Sequence, residues 1–165
     1  MERRMFKMYG EGVIRIWLSE NAGILFRMLF AIYLLILTVM DIRTRRLHLG
    51  VLLLGFPLAV AGRIILGNIP AALVIAGGAS GALFVIVSRM TEEAFGYGDS
   101  ILITITGIFL GIWDLLAMLV TAFFLAAVFS GIMLSRKIYT RKSSFPFVPF
   151  LAAAYLGGVV IGAYG

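Results

Sequence analysis

Between Ala22 and Met40 the chain runs for nineteen residues with a single charge, Arg27, and comparable apolar blocks recur five more times. A hydrocarbon core about 30 Å thick needs roughly 20 apolar residues of helix to cross it. Blocks of that size, separated by short polar stretches, leave little room for a water-soluble fold. Composition agrees: 62% of residues are hydrophobic and 13% charged, and mean hydropathy is +1.07. The blocks do not alternate as barrel strands would, and in lipid only helices or closed barrels satisfy every backbone group. The expectation is an all-α, polytopic membrane protein with about six transmembrane helices.

In order, the blocks cover about 22–40, 47–66, 71–88, 100–113, 115–134 and a last one from the prolines at 146 and 149 to near Tyr164. Residues 1–21 hold only a short apolar group and no small-residue cleavage pattern, and read as an N-terminal interfacial or flexible segment. Residues 22–165 read as one six-helix domain. Gly67-Asn68-Ile69-Pro70 is a turn. Gly77 with Gly81, and Gly158 with Gly162, have the spacing of close helix contacts. Arg27 and Arg63 lie near block ends, within snorkelling reach of the headgroups, and Asp114 reads as a solvated turn residue. The fourth block spans roughly 21 Å as helix, too little for a full crossing, which sets the residues before it below the membrane surface.

The formal charge is +6. Its basic residues flank apolar blocks and are not interleaved with aromatics, so they fit anionic lipid and topology and not nucleic acid. Six spans put Arg43, Arg45, Arg46, Arg89, Arg136, Lys137, Arg141 and Lys142 on one side, against Arg3, Arg4, Lys7 and Arg15 on the other. That excess makes the first side cytoplasmic. Zero cysteines exclude disulfides, thiol catalysis and a cysteine–zinc site, and a single histidine excludes a histidine-rich metal site. No cofactor and no metal are expected.

Two carboxylates stand where polar groups are costly. Asp41 ends the first block, and Asp99 opens the fourth behind Gly96-Tyr97-Gly98. The glycines remove bulk beside Asp99 and permit positive φ. The alternation of spans places both acids on one membrane face. Paired carboxylates share a proton because like charges raise one pKa. The ionised member can then act as general base on water while the protonated one donates to a peptide carbonyl.

Asp41-x-Arg43-x-Arg45-Arg46 after the first block, Gly96-x-Gly98-Asp99 before the fourth and Pro146-Phe147-x-Pro149-Phe150 at the last together resemble the type IV prepilin peptidases, the GxGD membrane aspartic proteases. That resemblance implies catalytic roles for Asp41 and Asp99 and an active-site backbone at Gly96 and Gly98. It also implies removal of a short basic leader from prepilin-like precursors at the cytoplasmic face of the cell membrane. The chain has neither the cysteines nor the room for the family's methyltransferase-associated insertion. It resembles the short, peptidase-only forms of Tad-type or archaeal systems. Leu47, His48 and Leu49 stand where the family usually continues Ile-Pro-Asn, and Ile101 where it usually has lysine. Arg43, Glu92, Glu93, Pro146 and Pro149 are candidate substrate contacts, the glutamates by charge complementarity to a basic leader. Two other readings fit the composition: a small transporter or channel subunit using the buried acids, and a noncatalytic assembly partner.

Overall fold

A computed structural model describes the backbone of residues 2–44, 47–67, 69–90, 96–136 and 146–164, and the side chains of these from Asn21 on, apart from Val87 and Ser88. All regular structure among the described residues is helical: α1 (Glu2–Thr44), α2 (Leu49–Leu53), α3 (Gly55–Leu66), α4 (Ala71–Met90), α5 (Tyr97–Leu110), α6 (Ile112–Ser135) and α7 (Val148–Val160). Three stretches, Asn21–Thr44, Leu49–Leu66 and Ile112–Ser135, are long and apolar enough to cross a membrane, and three shorter apolar helices accompany them. The six apolar blocks thus fall on six helical units.

α1 does not stop where its hydrophobicity does. It runs one further turn past Met40, so Asp41 and Arg43 are helical residues rather than the start of a loop. Transfer free energy falls at Asp41, but the i to i−4 hydrogen bonds that propagate a helix do not depend on it. The backbone of residues 2–20 continues the same helix.

The block expected as one helix over 47–66 is broken at Leu54. Pro57 explains the break: it lacks the N–H that would bond the Leu53 carbonyl, and its ring crowds that group. The hydroxyl of Tyr33 donates to the neighbouring Leu52 carbonyl at 2.9 Å. Gly55 leaves space for that phenol, since a Cβ there would collide with the Tyr33 ring.

α4 and α5 form the most extensive helix pair. A Cβ on Gly77 would strike the Gly107 backbone, one on Gly107 would strike Gly77, and one on Gly81 would strike Thr104. The spacing of Gly77 and Gly81 therefore serves the close contact expected of it. Gly158 and Gly162 serve a different purpose. Gly162 has φ 67° and closes α7 with a Schellman pattern, in which the Ala163 N–H donates to the Gly158 carbonyl and the Gly162 N–H to that of Val159. This turn folds Tyr164 back so that its ring covers Gly158, and its hydroxyl donates to the Ala154 carbonyl at 3.3 Å.

The core lies between α1, α5, α6 and α7, with Leu52 of α2 and Ala59 of α3 also buried in it. Phe30 stacks on Phe109 with centroids 4.2 Å apart and meets Tyr155 edge-on at 5.4 Å. A single residue, Gly111, joins α5 to α6 with φ 83° and ψ 173°, a conformation that only glycine adopts without strain.

Candidate functional site

Asp41 near the end of α1, Asp99 in the first turn of α5 and Val148 at the start of α7 gather at one end of the helices. Asp41 is 8% exposed, and its Oδ2 accepts the backbone N–H of Val148 at 3.1 Å across 107 residues of sequence. Asp99 is half-buried and close enough to Asp41 for the two charges to act on each other. The structure therefore brings together the two carboxylates singled out in the sequence.

The glycines before Asp99 do this in a way the sequence does not reveal. Gly96 is the N-cap of α5 at φ −64° and ψ 136°, and neither Gly96 nor Gly98 has a positive φ. Their contribution is space. A Cβ on Gly96 would sit 3.2 Å from Asp99 Oδ2, and one on Gly98 would sit 2.9 Å from Leu47 Cδ1. Gly98 thus admits the Leu47 side chain, and of the two glycines it is Gly96 that leaves room beside the carboxylate. The Ser100 N–H donates to the Gly96 carbonyl at 3.2 Å, starting the helix. The Nε of Arg89, at the end of α4, donates to the Tyr97 hydroxyl at 3.1 Å.

Pro146 and Pro149 are half-buried beside this end of α7, with Pro149 inside its first turn. Arg43 is exposed in the last turn of α1. Glu92 and Glu93 lie outside the described residues, as do Arg45 and Arg46. His48 is exposed and caps α2; because α1 ends at Thr44, it shares no helix with Asp41. Ile101 packs against the core. Among the described residues, no group of three or more His, Asp or Glu side chains gathers where a metal ion would need them. The Val148 amide was not anticipated. Pro149 signals a helix start, but nothing in the sequence ties that start to Asp41.

The opposite end holds a second polar group. Asp114, in the first turn of α6, faces the charges of Arg63 and Arg27. These three line a small cavity with Tyr155, Tyr164 and apolar neighbours. The Tyr155 hydroxyl donates to the Arg27 carbonyl at 3.1 Å, and Arg63 Nη2 is buried without a hydrogen-bond partner. Asp114 is thus an inter-helix residue rather than a solvated turn acid, and the arginines turn inward to it. Along α1, Arg27 and Asp41 are about 21 Å apart at 1.5 Å per residue, so the two polar groups occupy different ends.

The family model for type IV leader peptidases matches residues 28–131, more than half of the chain, and this stretch includes Asp41, Gly96, Gly98 and Asp99. The chain belongs to the type IV leader peptidase family. Membership makes it a protease, and its long apolar helices associate it with a membrane. The match ends within α6, so the prolines of α7 lie beyond it. No curated protein and no solved structure matches the chain.

Proposed function

We propose that this leader peptidase is an aspartic endopeptidase of six membrane crossings, with Asp41 and Asp99 as its catalytic carboxylates. The observation that carries the reading is their convergence: two acids 58 positions apart in sequence act on each other's charge at one end of an otherwise apolar bundle. Oδ2 of Asp41 accepts an N–H and so presents no proton there. We assign Asp41 as the general base and Asp99 as the proton donor. Asp41 takes a proton from water as the oxygen attacks the scissile carbonyl carbon, while Asp99 protonates the carbonyl oxygen. Collapse of the tetrahedral intermediate breaks the C–N bond, and a proton passes to the departing amine.

The substrate class is the short basic leader of a prepilin-like precursor, cut at the cytoplasmic face. The charge asymmetry between loops supports that orientation. Gly96 and Gly98 form the site backbone, Gly96 keeping room beside the Asp99 carboxylate and Gly98 admitting the Leu47 side chain. Arg43, Glu92, Glu93, Pro146 and Pro149 are proposed to meet substrate, the glutamates drawing in the basic leader. With no cysteine and one compact set of helices, the chain performs peptidase chemistry without N-methylation.

The test is co-expression with a candidate precursor, reading leader removal by mass spectrometry. Asp41→Asn and Asp99→Asn should each lower cleavage by at least roughly a hundredfold while membrane insertion is unchanged. Parental cleavage by either variant would remove that residue from the mechanism.

A further inference from the structure

The first turn of α7 has an unusual inventory of donors. Phe147 is the N-cap and contributes no side-chain cap hydrogen bond, and Val148, Pro149 and Phe150 are the first three helical residues. N–H groups at these positions have no ordinary intrahelical partner. Pro149 has no N–H. The N–H of Phe150 turns back to the Phe147 carbonyl at 3.0 Å. That leaves the Val148 N–H, and it goes to Asp41 Oδ2.

N-terminal caps ordinarily bond the second or third helical N–H. Here the second is deleted and the third is satisfied locally, so the first three helical residues offer a carboxylate arriving from α1 a single N–H, that of Val148. A second N–H one residue along would also draw the carboxylate and so take part in setting its orientation. Both partners are buried, Val148 completely and Asp41 to all but 8%, in surroundings where a hydrogen bond is strong and its geometry is held.

We propose that Pro149 and the Val148 amide form a positioning device for Asp41: the proline removes the competing donor, and the remaining N–H fixes the carboxylate in one orientation beside Asp99. Pro149 is on this account a positioning residue that acts through Asp41. The proposal rests on Asp41 being a catalytic carboxylate. It gives the proline a task that is independent of any contact with substrate.

Two variants change the donor count in opposite directions. Pro149→Ala restores an N–H at the second helical position. Val148→Pro removes the N–H from the first, and also disfavours the helical backbone of Phe147 before it. Each is measured in the full-length chain in detergent, with the co-expressed precursor purified as substrate, for kcat, KM and thermal unfolding. Pro149→Ala should lower kcat about fivefold and Val148→Pro about tenfold through misorientation of the base. In Pro149→Ala the unfolding temperature should stay parental and kcat should fall whether or not KM moves with the proposed substrate contact, a pattern that a purely structural or purely substrate-binding role for the proline would not give. Parental kcat in Pro149→Ala, or a rise in KM with kcat unchanged, overturns the proposal, and Pro149→Ala decides alone if Val148→Pro does not accumulate. Activity in Asp41→Asn would instead overturn the catalytic reading beneath it.

Discussion

Gly77 and Gly107 face each other so closely that the missing Cβ of each would lie against the other's backbone. α5, which carries Asp99, is therefore held to α4 main chain to main chain. Gly77→Ala and Gly107→Ala should each push the pair apart at a cost of about 1–3 kcal/mol or more, and cleavage should fall with it. Gly131→Ala and Gly157→Ala are the controls. Nothing stands within 4 Å of a Cβ at either, so they should be neutral or stabilise by about 0.5–1 kcal/mol. Thermal unfolding in detergent with the cleavage assay checks both halves.

Asp41 also acts as a remote helix cap, so its substitutions should separate structure from chemistry. Asparagine keeps an oxygen that can accept the Val148 N–H, and alanine does not. Asp41→Ala should lose roughly 0.5–2 kcal/mol of stability relative to Asp41→Asn, with both inactive. Equal unfolding temperatures would show that the Val148 contact contributes nothing.

The proposed chemistry needs one proton shared between two carboxylates. At low pH both are protonated and the base is lost; at high pH both are ionised and the donor is lost. The kcat profile should be bell-shaped, with two apparent pKa values that belong to the pair and not to either residue. A profile with one limb would argue against a carboxylate pair.

At the far end, Arg63 and Asp114 act on each other's charge with Arg27 nearby. Asp114→Ala removes the carboxylate that both arginines act on, whereas Arg63→Met removes one of those arginines. A double-mutant cycle on unfolding should give a coupling of about 0.5–3 kcal/mol. Cleavage at low temperature should stay near parental, because this group lies at the other end of α1 from Asp41. Loss of cleavage with intact stability would contradict that separation.

Hydropathy made the helical blocks legible, and the pairing of acid with glycine marked Asp99 and its neighbours. Gly77 and Gly81 were readable because a four-residue spacing is itself a contact rule. Lateral partners were not legible. Hydropathy along the chain registers transfer into lipid, and it is blind to whether Arg63 looks outward to a headgroup or inward to Asp114. Gly158 carries the same signal as Gly77 yet holds a returning tyrosine ring, which only the turn at Gly162 decides. The break at Leu54 had a local signal in Pro57. The bond from Val148 to Asp41 had none, because a donor and an acceptor 107 residues apart leave no periodic trace.

That separation also orders events during biogenesis. At about 5–20 residues per second on the ribosome, Asp41 is made roughly 5–20 s before Val148. Through that interval α1 carries a buried acid whose later partner does not yet exist. The site can assemble only once the helix begun at Val148 has been threaded in beside α1. A chain stalled after α6 would hold both carboxylates without the amide that orients one of them, so competence to cut arrives with the insertion of that helix.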